Sequence, residues 1–235
     1  MTNLVVVKLG GSLLSRSEVD IFNFGYLSSL KATVMSEEFK LMKFFFAVGG
    51  GFTMRRYRDL ARKAGVSNDN DLHWVGTTVN VLHAYLVKAF FSTDADEDVV
   101  KYEDYYSNEE LFIQRKIKIG GGGRPGHSGD VDASLAARKL GANTIVSLKN
   151  VDGVYDRDPK LFKDAIRQKS LTWDEYLKII GGKEKHEPGG NYPIDPIAAR
   201  MAKDAGLKFV ITAGDDLTNF ANYLAGREYT GTEVS

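Results

Sequence analysis

Short apolar runs alternate along the chain with longer stretches whose apolar residues recur at helical spacing. The runs cover 4–9, 41–48, 116–119, 143–148 and 207–212. Runs of this length, bounded by glycine or polar residues, predict strands, most of them buried on both faces of a parallel sheet. Helices are predicted between them. One covers 21–35, and a second runs from a Thr53 cap through Arg55, Arg56, Tyr57, Leu60 and Ala64 to a stop at Gly65. The stretch 71–91 has the clearest period, placing Trp74, Thr78, Val81, Leu82, Tyr85, Leu86 and Ala89 on one recurring face. The acidic stretch 94–104 reads as a loop with a short strand around Val99, and 108–114 as a helical turn. Further helices follow from Asp130 to a stop at Gly141, and from a Thr172–Glu175 capping box to Gly181 and Gly182. Another begins with Asp195 as N-cap and Pro196 at the first helical position, and a last one is capped by Asp216. The charged segment 183–192 reads as a mobile loop, and 228–234 as an edge strand. Strands separated by helices make this an α/β chain with a largely parallel sheet. There is no internal repeat and no interdomain linker.

Composition narrows the function classes. At 235 residues the chain can form one large domain or two small lobes with a substantial core. Lys plus Arg and Asp plus Glu are both 31, so the formal net charge is zero, which argues against coating nucleic acid or an anionic membrane. The absence of cysteine excludes disulfides and thiolate metal sites. No apolar run approaches the length of a signal peptide or a membrane span, so a cytoplasmic protein is expected.

The chemistry concentrates at strand ends. Gly10 and Gly11 follow the first strand, and Gly49, Gly50 and Gly51 follow the second. The segment 120–130 contains six glycines and opens directly into a helix. Asp152 and Gly153 follow a fourth strand. Ligands of open α/β sheets bind beyond the carboxyl ends of the strands, and glycine turns beside a helix N-terminus offer N–H groups to a polyanion. There is no P-loop and no Gly-x-Ser-x-Gly elbow. Gly121, Gly123 and Gly126 match the dinucleotide fingerprint, but the helix starts too late for its tight turn. Position alone leaves Lys8 divided between bridging phosphates and a solvated strand end. Asp130 and Asp132 read first as residues complementing a helix start. Arg55 or Arg56 suits a phosphate. His73, His83 and His127 have no metal-ligand spacing, and Phe44, Phe45 and Phe46 read as core.

In this order the motifs resemble the amino acid kinase family, and within it the uridylate kinases of the archaeal type. The resemblance spans nearly the whole chain. It is carried by Val6–Ser12, by Val48–Gly51 with Arg55 and Tyr57, by Gly121–Asp130, and by Asn150–Tyr155 with Asp158-Pro159-Lys160. Ile194–Arg200 and the closing Gly231-Thr232 complete it. It implies a three-layer α/β/α sandwich forming one domain, 1–235, with an acceptor-binding part over about 1–140 and an ATP-binding part over about 141–235. The implied activity is phosphoryl transfer from ATP to a nucleoside monophosphate, UMP above all, with Mg²⁺ held mainly by phosphates and no metal-ligand set on the protein. The implied catalytic residues are Lys8, on the transferring phosphoryl group, and Asp130, organising it. ATP is assigned to Gly10, Gly11, Ser12, Lys149, Asn150, Asp152, Tyr155 and Asp158. The acceptor is assigned to Gly50, Gly51, Arg55, Asp71, Gly123, Arg124, Pro125, Gly126, His127 and Ser128. A homo-oligomer, a hexamer by resemblance, is implied, with nucleotides as the only partners and neither nucleic acid nor membrane.

Some positions depart from the family pattern. His73 stands where an Asp is usual, with Asp71 two residues earlier as its substitute, and His83 stands for an Asn. Ser128 and Gly129 replace a pair of threonines, and Lys149 replaces a Thr. Most of these changes fall on the acceptor side. Two other classes therefore stay in view: a non-catalytic nucleotide- or oxoanion-binding member of the fold, and a dinucleotide-dependent oxidoreductase.

Overall fold

The structure is a computed structural model and describes residues 4–182 and 192–235. Eight strands form one sheet. β1 (Leu4–Leu9) and β2 (Lys43–Val48) pair in parallel at its centre. β3 (Ala95–Val100) and β4 (Ile117–Gly120) continue the sheet on the β2 side. On the other side lie β5 (Thr144–Lys149), β9 (Lys208–Ala213), β10 (Thr232–Val234) and β8 (Ser170–Leu171), giving the order β3-β4-β2-β1-β5-β9-β10-β8. Only the β9–β10 pair is antiparallel. A separate ribbon joins β6 (Val154–Tyr155) to β7 (Arg167–Gln168).

Side chains alternate across each strand, so the sheet divides the core in two. Val7, Phe44, Phe46, Val146 and Val210 face one layer, with α1 (Gly11–Leu14), α2 (Phe24–Val34), α4 (Asp69–Phe91) and α9 (Leu217–Leu224) packed on it. Val6, Phe45, Ile145, Phe209 and Ile211 face the other. That side carries α5 (Tyr102–Tyr106), α6 (Gly129–Leu140), α7 (Trp173–Ile179) and α8 (Pro196–Asp204). The three-layer α/β/α architecture is thus present, with α3 (Gly51–Lys63) beside α4.

Several local expectations change. The 94–104 stretch holds a longer edge strand than expected, Ala95–Val100, in which Asp96 turns inward and meets Lys118 at 3.3 Å while the more exposed Asp98 reaches the same ammonium at 3.0 Å and Glu97 faces water. The two carboxylate oxygens of Asp96 also accept the N–H groups of Gln114 and Arg115, at 3.2 and 2.7 Å. Those contacts hold the end of 108–114 in irregular chain, and no helical turn forms there. Thr53 lies inside α3, whose N-cap is Gly50, and its N–H goes to Ser15 Oγ. Helix α4 starts earlier than expected, capped by Asn68. Its recurring large-residue face is also the outer one. Leu72, Gly76, Val79, Ala84, Val87 and Phe91 are buried, whereas Trp74, Leu82, Tyr85 and Leu86 are exposed. The helix is apolar nearly all round, so periodicity does not identify its inner side, and small residues take the close contact. The C-terminal strand is interior to the sheet, with β8 outside it. Of the segment 183–192, residues 183–191 lie outside the described residues.

Candidate active site

Strand order reverses at β1, which feeds β2 on one side and lies beside β5 on the other, so a crevice opens at their carboxyl ends. The glycines there first serve packing. A Cβ on Gly11 would lie 2.3 Å from the Gly51 nitrogen, and one on Gly10 would lie 2.7 Å from the Leu148 carbonyl oxygen. Only glycine lets these strand-end turns approach each other. The turns frame a cleft of about 330 Å³, closed on its far side by the loop before α6 and the start of that helix.

Sequence-assigned residues meet there: Lys8, Gly10, Gly11, Ser12, Gly50, Gly51, Arg55, Gly126, His127, Ser128, Asp130, Lys149 and Asn150. A second cleft of about 340 Å³ contains Tyr155 and Asp158 along an apolar wall of Ile179 and Ile180. Lys149, Asn150 and Tyr192 line both clefts, which therefore adjoin. Asp71, Gly123, Arg124, Pro125 and Asp152 line neither. Asp71 is exposed on α4, while His73 faces the cleft. Asp152 accepts the Tyr155 hydroxyl at 2.9 Å and pairs with Arg167 at 3.6 Å, so it steadies the Tyr155 wall of the second cleft without lining it.

The sequence reading missed Arg58, Asn80 and Asp195 as cleft residues. Arg58 lies one helical turn beyond Arg55, a spacing that places both on one face of α3. Its Nη1 points at the Met54 sulfur, and its Nε is buried with no hydrogen bond among the described residues. Asn80 presents a buried Oδ1, also without a partner among the described residues. Asp195 caps α8 as expected, and its backbone N–H additionally reaches Asp130 Oδ2 at 3.2 Å.

The charges centre on Asp130. It lies in the first turn of α6 without capping it, since the N-cap is Ser128, which makes no side-chain cap. Its carboxylate instead receives Lys149 Nζ at 2.9 Å and faces Lys8 Nζ at 3.7 Å. Burial alone pushes the Asp130 carboxyl up, but the charges of Lys149 and then Lys8 outweigh it and hold the group below the usual carboxylate range. Lys8 is pushed down to about 8, chiefly by burial and next by the charge of Lys149, with Asp130 opposing both. Asp132 lies deeper in the protein. It accepts the Gly123 N–H at 3.2 Å, and burial pushes its carboxyl up to about 7. In the loop, His127 Nδ1 is bonded to the Tyr106 hydroxyl at 2.8 Å. Burial, followed by the charge of Arg124, lowers its pKa. Ser128 Oγ is buried with no hydrogen-bond partner among the described residues, leaving a polar atom for a ligand. The site therefore offers two largely enclosed ammonium groups on a fixed carboxylate, exposed and half-buried arginines beyond them, and backbone N–H groups at a helix start. That combination suits a polyanion whose charge shifts between two subsites.

Comparison with known proteins agrees. The family model described as "Amino acid kinase family" matches residues 3–213. The uridylate kinase of Pyrococcus abyssi is 31% identical over 230 residues, covering 98% of each chain. That of Thermoplasma volcanium is 32% identical over 234 residues, covering 100% of this chain and 98% of the relative. Among solved structures, the uridylate kinase of Archaeoglobus fulgidus superposes with a TM-score of 0.81 at 28% identity, covering 98% of this chain and 99% of that one.

Proposed function

The chain belongs to the amino acid kinase family, and from that premise we propose that it transfers the γ-phosphoryl group of ATP to UMP, giving UDP and ADP. The observation carrying this assignment is Lys8, buried beside Asp130 near the junction of two adjoining clefts. A reaction with a charge-rich transition state needs positioning and neutralisation more than a strong base. In this scheme Lys8 follows the moving phosphoryl group, and Gly10, Gly11 and Ser12 line its path. Arg55 and Arg58 hold the acceptor phosphate, with Asn80, Gly126, His127 and Ser128 around the acceptor. Tyr155 and Asp158 border the adenine nucleotide in the second cleft. The residues fit ATP: two cations, a buried Ser128 hydroxyl with no partner among the described residues, and glycine turns converge where phosphates would lie. No group of three or more Asp, Glu or His among the described residues is placed to hold a metal ion. Mg²⁺ would be held mainly by the phosphates, where it would neutralise their charge.

The functional unit is a homo-oligomer in which a second copy covers the outer face of α4. Trp74, Leu82, Tyr85 and Leu86 stand exposed together there, and the resemblance implies an oligomer.

A coupled ADP-release assay across UMP, CMP, acetylglutamate, carbamate and isopentenyl phosphate tests the assignment. UMP should give the highest kcat/KM. Turnover no faster than background ATP hydrolysis with every acceptor sinks it, and ATP binding without transfer would make the chain a non-catalytic nucleotide binder.

A further inference from the structure

Asp130 is shared unequally. Lys149 Nζ sits 2.9 Å from Oδ2, and the Asp195 N–H donates to the same oxygen at 3.2 Å. Lys8 Nζ stands 3.7 Å from Oδ1, which makes no hydrogen bond among the described residues. The side chains are enclosed, with 14% of Lys8, 11% of Lys149 and 5% of Asp130 exposed. Two ammonium groups press on one carboxylate, with Asp195 as a weaker anionic influence on Lys8, and this crowding of like charge in a poorly solvated place is costly until an anion arrives. Their mobility differs. Asp130 is pinned by its helix and by the Asp195 amide, whereas Lys149 ends β5 on a flexible four-carbon stem. Lys149 also lines both clefts, so its ammonium can reach a chain of phosphates running from one to the other.

We propose, resting on the phosphoryl-transfer assignment above, that Lys149 is a second phosphate-holding cation that leaves Asp130 for the nucleotide's phosphates when they bind, giving Asp130 over to Lys8. Phosphate binding then charges the site in sequence. Lys149 neutralises the incoming phosphates. Lys8 loses its nearest like charge, gains the whole of its carboxylate partner and keeps its proton during transfer. The charged groups facing Lys8 are Lys149 from β5, Asp130 from α6 and Asp195 from the start of α8. Arg55 and Arg58 from α3, His73 from α4 and His127 from the loop line the rest of the cleft. After burial, Lys149 is the largest influence lowering the Lys8 pKa, which agrees with the geometry.

The test follows the Lys8 side chain directly. The full chain is labelled with ¹³C-lysine, and the Lys8 Cε resonance, assigned by its loss in Lys8→Arg, is titrated with pH in the wild type, Lys149→Met and Lys149→Arg. Inorganic tripolyphosphate is the phosphate probe, with affinity read by calorimetry. Lys149→Met should raise the Lys8 midpoint by about one pH unit and weaken tripolyphosphate at least about tenfold. Lys149→Arg should leave the midpoint near the wild-type value and retain most of the binding. An unmoved Lys8 midpoint in Lys149→Met, or undiminished tripolyphosphate binding, overturns the proposal. If Lys149→Met does not fold, the wild type decides: the Lys149 Cε resonance must shift as tripolyphosphate saturates, and an unmoved resonance overturns it. None of these readouts uses an acceptor. Failure to phosphorylate UMP therefore sinks only the proposed activity, and an active wild type with an unresponsive Lys8 sinks only this inference.

Discussion

Lys8 differs from an ordinary strand-end lysine in being buried and in facing both a like and an opposite charge. Replacing it with Ala should lower kcat by about a hundredfold or more, the scale of removing one transition-state contact, and change ATP affinity far less. Equal losses in both, measured by steady-state kinetics and calorimetry, would take it out of the catalytic role. Because the ammonium must be charged to hold the phosphoryl group, kcat/KM should fall as pH rises through about 8. Asp132 makes a stability prediction. Its folded pKa, about 7, lies above the usual 3.8, so the folded state binds the extra proton between those values. Its contribution is fully present below about pH 4 and is lost toward pH 7, at about 1.4 kcal/mol per pH unit. Asp132→Asn should flatten that slope in melting temperatures taken from pH 5 to 8. At this scale the motif residues around Lys8, Gly10, Gly50 and Asp130 were legible because strand-end glycines and a buried-strand pattern mark them. Arg58 and Asn80 were not, since a single cation or amide on a helix looks the same whether it faces a cleft or water. Of the partners of Asp130, Lys8 was expected from the family resemblance, whereas Lys149 and the Asp195 amide, 19 and 65 residues away in the chain, escaped.

The loop before α6 shows how one element is fixed by another. Gly123 donates to Asp132 from a position where a Cβ would lie 2.0 Å from the other oxygen of that carboxylate. Gly123→Ala should therefore cost about 1–3 kcal/mol in urea unfolding. The same change beside Asp132→Ala should cost clearly less than the sum of the two single changes. Strict additivity would mean that Asp132 does not set the loop. The β-branched and aromatic runs announced β1, β2, β5 and β9 because those strands are covered on both faces. Strand β3 was legible only around Val99, and its first half was hidden by the sequence Ala95-Asp96-Glu97-Asp98, since an edge strand can expose carboxylates and Asp96 pairs with Lys118. Helix α4 was found, but its buried side was not. Large residues lie on both sides of it: Leu72, Val79, Val87 and Phe91 point inward with Gly76 and Ala84, while Trp74, Leu82, Tyr85 and Leu86 point outward, so no single amphipathic stripe marks the inner side.

For the whole molecule, that outward face of α4 has a consequence for assembly. Leu82→Glu with Leu86→Glu should shift the mass measured by light scattering toward the monomer while the circular dichroism spectrum is kept. A wild type that is already monomeric at micromolar concentration would remove the proposed role of this face. The continuous eight-stranded sheet joins the two clefts through one rigid frame, with the β1 and β5 ends, and hence Lys8 and Lys149, side by side. The central claim is that this frame delivers a phosphoryl group from ATP to UMP. It is tested most directly by ³¹P NMR of UMP, ATP and Mg²⁺ incubated with the wild type and with Lys8→Ala. The wild type should produce the paired phosphorus resonances of UDP as those of the ATP γ-phosphoryl group decline, and Lys8→Ala should leave both nucleotides essentially unchanged over the same time. Inorganic phosphate accumulating without UDP, or UDP forming equally fast with both proteins, would contradict the account.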